Sequence, residues 1–213
     1  MSNIAKLISG IRIFKATTFQ QKKDVINHLL LQGQKPSTMI ISCVDLRISP
    51  AELFAANPGE LYVLNNIGGL VPKYNSEGIH GILAAIEYAV TNIEVENIII
   101  LGHSKCESIE MMMSDKFAAT TNGLSKSMKT WLSIAGEARD AVKKEMSQKD
   151  AQEQQSSCEH ESIVVSLSNL MTYPYITQRM AQNKLKIFAM HFDIETAQIM
   201  SFNSDTGFFE AVV

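Results

Sequence analysis

Short apolar runs along the chain predict β-strands that alternate with helices. TMIISC (38–43), ELYVLNN (60–66) and NIIILGH (97–103) are rich in branched apolar residues and lie between turn-forming residues, as buried strands do. Between the last two, EGIHGILAAIEYAVTN (77–92) has the apolar spacing of a helix. This alternation predicts an α/β fold with a mainly parallel central sheet and helices on both faces.

The same pattern continues on either side of these strands. TTFQQKKDVINHLLLQG (17–33) predicts a helix that ends at Gly33, and ESIVVSLSNLMTYPYITQRMAQNK (161–184) predicts one that is interrupted near Pro174. KLKIFAMHFDIETAQIMSF (184–202) predicts a strand, a turn and a strand. The stretch between Met111 and Cys158 is polar, with a helix predicted near Trp131, and KKEMSQKDAQEQQSS (143–157) favours a solvated helix face or a loop.

Length and charge narrow the class of protein. The chain has 213 residues, of which 46% are hydrophobic, and it shows neither an internal repeat nor a linker. We therefore predict one domain over 1–213. The formal net charge is −3, and the lysines and arginines are scattered along the chain without forming a basic stripe. This distribution argues against nucleic acid as a partner. The N-terminal apolar stretch is too short for a signal peptide and no run approaches the roughly 20 apolar residues of a membrane span, so we expect a cytoplasmic protein without membrane contact.

Two cysteines and a histidine fall where an α/β sheet gathers its functional residues. Cys43 ends one predicted strand, His103 ends another, and Cys106 follows three positions later. If these strands are neighbours, the three side chains meet, and two thiolates with one imidazole suit Zn²⁺ while leaving its fourth position open, as in catalytic sites. A chance His-x-x-Cys pair among buried cysteines is the alternative. Cys158, in the polar segment SSCEHE, is interpreted as an incidental thiol.

An aspartate and an arginine follow Cys43 at alternate positions. In an extended segment, Asp45 and Arg47 would present their side chains on the same side. A carboxylate held by a bidentate arginine is kept off the metal and can accept a hydrogen bond from a metal-bound hydroxide. This pair therefore favours an open, catalytic zinc site.

SCVDLR and GHSKC resemble the Cys-x-Asp-x-Arg and His-x-x-Cys motifs of the β-class carbonic anhydrases. The resemblance extends to GQKPSTMIISC, NPGELYVLNNIGGLVP, GILAAIEYAV and SLSNLMTYPYI, which are similar to the branch with the plant enzymes and the cyanate-associated bacterial enzyme. It implies a zinc held by Cys43, His103 and Cys106, with the zinc-bound hydroxide converting carbon dioxide reversibly to bicarbonate and a proton. Asp45 and Arg47 would form the catalytic dyad.

The resemblance also implies a substrate pocket shared between subunits. Gln34 would donate a hydrogen bond to the substrate, and Tyr62 and Tyr88 would line the pocket, mostly from the partner subunit. The segment KLISGIRIFKATTF (6–19) would be an N-terminal helical arm in a homodimer or larger homo-oligomer. The alternatives are a turn residue for Gln34, core packing for the two tyrosines, and a helix that packs on its own core.

The sequence departs from the family pattern mildly at Tyr62, where the plant enzymes have phenylalanine, and more clearly at three further positions. Glu107 stands where the family usually has glycine, directly after Cys106. Ile40 and Asn65 replace the tryptophan and arginine that help some members form an inhibitory bicarbonate pocket, so we predict that this switch is absent.

Two other functions stay open at the level of sequence. The same scaffold can serve a hydrolase of carbon disulfide or carbonyl sulfide, because the zinc-bound hydroxide would be the same. A non-catalytic zinc protein, with Glu107 or Asp45 as the fourth ligand, is a further alternative. A thiol redox protein is less favoured, since the chain has no Cys-x-x-Cys pair.

Overall fold

A six-stranded sheet forms the centre of the computed structural model, which describes residues 3–75, 77, 80–119 and 123–212. The strand order is β2-β1-β3-β4-β5-β6; β1 to β4 are parallel, and β5 and β6 are antiparallel to their neighbours. The strands are β1 (Thr38–Cys43), β2 (Leu61–Asn66), β3 (Asn97–His103), β4 (Lys186–Phe192), β5 (Ile199–Asn203) and β6 (Phe208–Ala211). The predicted mainly parallel α/β fold is confirmed.

Helices cover the sheet and extend beyond it at the N-terminus. They are α1 (Asn3–Ala16), α2 (Thr18–Gln32), α3 (Pro50–Leu53), α4 (Gly81–Glu87), α5 (Glu107–Met113), α6 (Asp115–Ala118), α7 (Lys126–Leu132), α8 (Gly136–Glu145), α9 (Ala151–Leu170) and α10 (Pro174–Ala181). The helix predicted over 77–92 begins only at Gly81 and continues as a π-helical segment, Tyr88–Ile93. Residues 78 and 79 of that prediction lie outside the described part of the chain.

Helix α9 connects the sheet to the smaller helices. It packs on β3 and β4 and also contacts α5 and α8. Its start is fixed by a capping box, in which Asp150 accepts from the backbone of Glu153 and the Glu153 side chain accepts from the backbone of Asp150. The polar segment 143–157 is therefore the end of α8, a turn and the first turns of α9. One face of α9 enters the core, so Cys158 is 0% exposed.

The C-terminal hairpin contains a strand that the sequence pattern did not predict. β6 pairs with β5 after a turn at Gly207, whose φ of 76° lies in the left-handed region that favours glycine. β6 has four residues and both Phe208 and Ala211 are exposed, so it carries no clear alternation of buried and exposed positions. Its place in the sheet comes from pairing with β5.

Helices α1 and α2 form an arm that buries none of its side chains within the chain. As predicted, α2 ends at Gln32 before Gly33, which has a φ of 76°. Six large apolar residues of α1 are exposed: Ile4, Leu7, Ile8, Ile11, Ile13 and Phe14. Among the residues that the structure describes, no helix combines the length and the apolar character that crossing a bilayer requires.

Candidate metal centre

The metal ligands predicted from the sequence meet because β1 and β3 are adjacent parallel strands. Their register pairs Ser42 with Leu101, so Cys43 and His103 emerge at the same edge of the sheet. The turn after β2 passes close to this edge: Gly69 has a φ of 63°, and a Cβ there would lie 3.3 Å from the backbone nitrogen of Cys43. Only glycine fits this close approach without strain.

The three donor groups have the spacing of a zinc site. One ligand atom from each of Cys43, His103 and Cys106 lies within 4.8 Å of the others, and all three residues are buried. The two sulfur atoms are 3.9 Å apart. Two sulfurs about 2.3 Å from a tetrahedral zinc would be about 3.8 Å apart, so the pair fits the ion with little adjustment.

The imidazole of His103 is oriented for metal binding by its own loop. Nδ1 donates to the backbone carbonyl of Ser104 at 2.9 Å, which leaves the lone pair on Nε2. Nε2 is buried and has no hydrogen-bond partner among the described residues. Because buried polar atoms are rarely left without a partner, the unpaired Nε2 indicates that this nitrogen binds a metal ion.

The pKa values of the two cysteine thiols are shifted in opposite directions. The side chain of Cys106 hydrogen-bonds to Cys43, and this contact outweighs burial and lowers the pKa of Cys43 to about 4. The same contact, together with burial, raises the pKa of Cys106. The pair therefore loses its first proton more readily than an isolated cysteine, and a bound cation would favour loss of the second proton.

Arg47 holds the Asp45 carboxylate, whose Oδ2 lies 3.9 Å from Nε2 of His103. The guanidinium donates from Nε to Oδ1 at 2.9 Å and from Nη2 to Oδ2 at 2.6 Å, and the backbone N–H of Arg47 also donates to Oδ1. These bonds lower the pKa of Asp45 to about 2. The segment is a turn, with the Ile48 N–H bonded to the Asp45 carbonyl, so the extended geometry that we predicted is wrong although the pairing is present.

An open cleft of about 380 Å³ leads to Cys43 and Asp45. One wall is apolar, and its residues are Leu46, Ile67, Met111 and Met128. Glu107 lines the same cleft and is exposed, so its carboxylate faces the approach to the site. The cleft combines apolar side chains, which suit a small neutral molecule, with the charged groups of Asp45, Glu107 and Arg47.

The three residues predicted to contact the substrate lie outside this cleft in the same chain. Gln34 is exposed just beyond α2. Tyr62 pairs in register with Met39, four residues before Cys43, which corresponds to about 13 Å along the strand. The Tyr62 and Tyr88 rings are 6.4 Å apart, and Tyr88 is 49% exposed, so it is not a core aromatic.

Sequence reasoning missed a buried carboxylate behind the metal ligands. Glu159 of α9 is 4% exposed, and its Oε1 accepts a hydrogen bond from the backbone N–H of Cys106 at 2.9 Å. It stands in a polar segment whose charged residues predicted solvent exposure. The one sequence feature that could have indicated its burial is its position on α9, directly after Cys158 and one helical turn before Ile163.

Cys158 belongs to the same buried cluster as Cys43 and Cys106 without joining the ligand group. Burial raises its pKa to about 11, so the thiol stays protonated at neutral pH. It fills core space between α9 and the helices packed on it. The interpretation as an incidental polar-segment thiol is therefore replaced by a core role.

Comparison with known proteins agrees with this geometry. The family model for carbonic anhydrase matches residues 38–199. Beta carbonic anhydrase 3 of Arabidopsis thaliana is 31% identical over 192 residues, covering 89% of this chain and 73% of the plant protein. Among solved structures, the β-carbonic anhydrase CcaA superposes with a TM-score of 0.92 at 26% identity, covering 100% of this chain and 93% of that one.

A fold-level match extends the comparison to fungi. Tetrameric β-carbonic anhydrases of Sordaria macrospora give a TM-score of 0.82 at 23% identity, with coverage of 94% of this chain and 96% of the fungal chain. The cysteine, histidine and cysteine gathered at one sheet edge are a ligand group suited to the zinc that this class of enzymes uses. The chain therefore belongs to the β-class carbonic anhydrases and is a zinc enzyme of that family.

Proposed function

We propose that this protein hydrates carbon dioxide reversibly to bicarbonate and a proton, with zinc held by Cys43, His103 and Cys106. The observation that carries the proposal is the arrangement at the carboxyl ends of β1 and β3. There, three metal-ligating side chains converge, and the carboxylate of a fourth residue, Asp45, is bound by Arg47. A site with three protein ligands leaves room for a reactant, whereas a structural zinc site is closed by four.

The chain's own residues orient the reactants. A zinc ion held here would act as a Lewis acid that makes a water nucleophilic near neutral pH. Asp45, kept ionised by Arg47, accepts a hydrogen bond from the attacking water and aims its lone pair. The apolar wall formed by Ile67, Met111 and Met128 receives the carbon dioxide molecule. Bicarbonate, being an anion, leaves a cleft that carries the charge of Glu107.

A second subunit completes the pocket in this proposal. Gln34, Tyr62 and Tyr88 would contact the substrate of the partner's site, since none of them lines the cleft of its own chain. The exposed apolar arm supports a homodimer or a larger homo-oligomer. We place the activity in a single domain over 1–213 and retain the prediction of a cytoplasmic location.

The test is stopped-flow carbon dioxide hydration by the zinc-loaded protein between about pH 6.5 and 9. The proposal expects rapid hydration that increases with pH and falls about 100-fold or more in Asp45→Ala. Asp140→Asn, which removes an exposed carboxylate on α8, is the matched control and should keep wild-type rates.

Two results would contradict the proposal. One is a zinc-loaded protein that hydrates no carbon dioxide at any pH but hydrolyses carbon disulfide or carbonyl sulfide. The other is a zinc site with four protein ligands, including Asp45 or Glu107, that persists above pH 8 in an X-ray absorption measurement.

A further inference from the structure

One peptide group in the metal-binding loop is held at both of its ends. The carbonyl of Lys105 accepts from Nη2 of Arg47 at 2.8 Å, and the N–H of Cys106, in the same peptide group, donates to Oε1 of Glu159 at 2.9 Å. This peptide follows Lys105, whose φ of 55° is left-handed and unfavourable for a lysine. Two charged groups thus fix a loop conformation that the residue itself disfavours.

The Glu159 carboxylate is itself firmly placed. Oε1 also accepts from Nε2 of Gln155, one turn earlier on α9, at 3.0 Å. Oε2 lies 3.8 Å from Nε2 of His191 on β4. Because α9 packs against β3 and β4, the carboxylate is anchored to the core of the fold and not to the metal-binding loop itself.

Burying a carboxylate is costly unless its hydrogen bonds compensate. An apolar residue at position 159 would pack against the same core neighbours but would leave the Cys106 N–H buried without an acceptor. A charged acceptor at the N–H also polarises the amide, which makes the Lys105 carbonyl a better acceptor for Arg47. The peptide therefore links Glu159 to both the ligand Cys106 and the arginine that restrains Asp45.

We propose that Glu159 is a positioning residue of the zinc site, which through the Lys105–Cys106 peptide orients both the Cys106 ligand and Arg47. It does not touch the substrate or the reacting atoms. The inference deepens the proposed function and rests on it for the role of Arg47, whereas the effect on zinc binding can be measured independently of turnover.

The first test is zinc affinity, measured by competition with a chromophoric chelator. Glu159→Ala should weaken zinc binding by about 10- to 100-fold, the usual effect of removing a group that orients a metal ligand. Glu159→Gln should recover most of this affinity, because an amide oxygen accepts from the same N–H. Rescue by the amide distinguishes positioning from a mere loss of volume.

The matched control is Asn169→Ala on the same helix. Asn169 is also 4% exposed and its Nδ2 donates to the carbonyl of Val71 at 2.8 Å, away from Cys106. This variant should lower the thermal midpoint of unfolding and leave zinc affinity close to that of the wild type. Equal weakening of zinc binding by Asn169→Ala and Glu159→Ala would overturn the proposal, because general destabilisation would then explain both.

A second measurement covers the case in which Glu159→Ala does not fold. Zinc-loaded protein labelled with ¹⁵N-cysteine has three cysteine amides, at 43, 106 and 158. In Glu159→Gln the amide proton of Cys106 should move upfield, since a neutral acceptor replaces a charged one. The Cys43 amide, which donates to no atom of Glu159, serves as the internal reference.

An unmoved Cys106 amide signal in Glu159→Gln would overturn the proposal, as would wild-type zinc affinity in Glu159→Ala. Failure of the proposed function looks different. In that case the wild-type protein binds zinc and shows the Glu159-dependent amide shift, but it does not hydrate carbon dioxide.

Discussion

At the scale of single residues, charge governs what the candidate site can bind. The Cys43 thiolate attracts a cation, and Arg47 keeps the neighbouring Asp45 carboxylate from competing as a ligand. The hydrogen bonds to Asp45 are the main cause of the raised pKa of Arg47, and Glu107, which lines the same cleft, adds to it through its negative charge. The charges around the site, and not only its coordinating atoms, therefore influence which ions and molecules bind there.

Removing the Glu107 charge should strengthen anion binding. Glu107→Gln and Glu107→Gly are expected to lower the inhibition constants of azide and thiocyanate several-fold, with a smaller effect at high salt. Inhibition of carbon dioxide hydration measures this. Glu110→Gln is the control, because Glu110 lies on the same helix but lines a different cleft. Unchanged inhibition constants in both Glu107 variants would show that the carboxylate does not act on bound anions.

Bicarbonate should inhibit this enzyme only as a product. Asn65 stands where some members of the family have the arginine of a bicarbonate switch, and its Oδ1 accepts from the Ser42 hydroxyl at 2.7 Å, so the side chain at this position carries no positive charge. Ile40 is 0% exposed in the core. Rates of carbon dioxide hydration with added bicarbonate should fit simple product inhibition, and cooperative inhibition would contradict the prediction.

At the scale of elements, α9 organises the region behind the site. Its Glu159 reaches the metal loop, while the next residue, His160, lies against the C-terminal hairpin. The His160 ring stacks on Phe209 of β6 at 4.5 Å and meets the ring of His191 edge-on at 4.3 Å. One helix thereby contacts the ligand loop, β4 and β6.

The buried imidazole of His160 should make the stability of the fold depend on pH below neutrality. Burial lowers the pKa of His160 from 6.5 to about 4. Between these values the unfolded chain binds the proton and the folded one does not, so stability falls as the pH is lowered from about 6.5 to about 4. The loss attributable to His160 is at most about 3 kcal/mol.

Chemical denaturation at several pH values, in the wild type and in His160→Phe, measures this effect. The variant keeps an aromatic ring against Phe209 and should lose less stability on acidification. His191 and Glu159 are present in both proteins, so the difference between the two curves reports on His160. Parallel curves would contradict the prediction.

At the scale of the whole molecule, the arm of α1 and α2 is the part of the fold whose apolar side chains are not covered within a single chain. Its apolar side chains are exposed, and the predicted substrate contacts Gln34, Tyr62 and Tyr88 lie away from their own cleft. Exposed apolar surface of this extent is typical of an interface. A partner subunit would resolve both observations together.

Deleting residues 1–32 should therefore lower the oligomeric state and the activity together. Light scattering coupled to size exclusion measures the mass, and stopped-flow hydration measures the activity. The double variant Leu7→Ser and Ile11→Ser, which keeps the arm but removes two exposed apolar side chains, should weaken assembly in the same direction. A deletion variant with unchanged mass and rate would show that the arm does not join subunits.

The sequence by itself determined the parallel strands, the ligand trio and the aspartate with its arginine. Strands β1 and β3 contain the largely buried runs MII and IIIL, and such apolar runs are predictable because a strand covered on both faces has few polar positions. Cys43 and His103 end two of those strands, so the sequence located both ligands at strand ends, and the pairing of β1 with β3 in the folded sheet brought them to one edge.

Only the tertiary structure decided the rest, because it depends on contacts between residues distant in sequence. Strand β6 exists through pairing with β5, and the Asp45–Arg47 geometry comes from a turn that the alternate spacing does not reveal. Glu159 lies 53 residues from Cys106, in a segment whose composition predicts solvent. Its burial follows from the packing of α9 on the sheet, and packing is a property of the assembled fold and not of any local pattern.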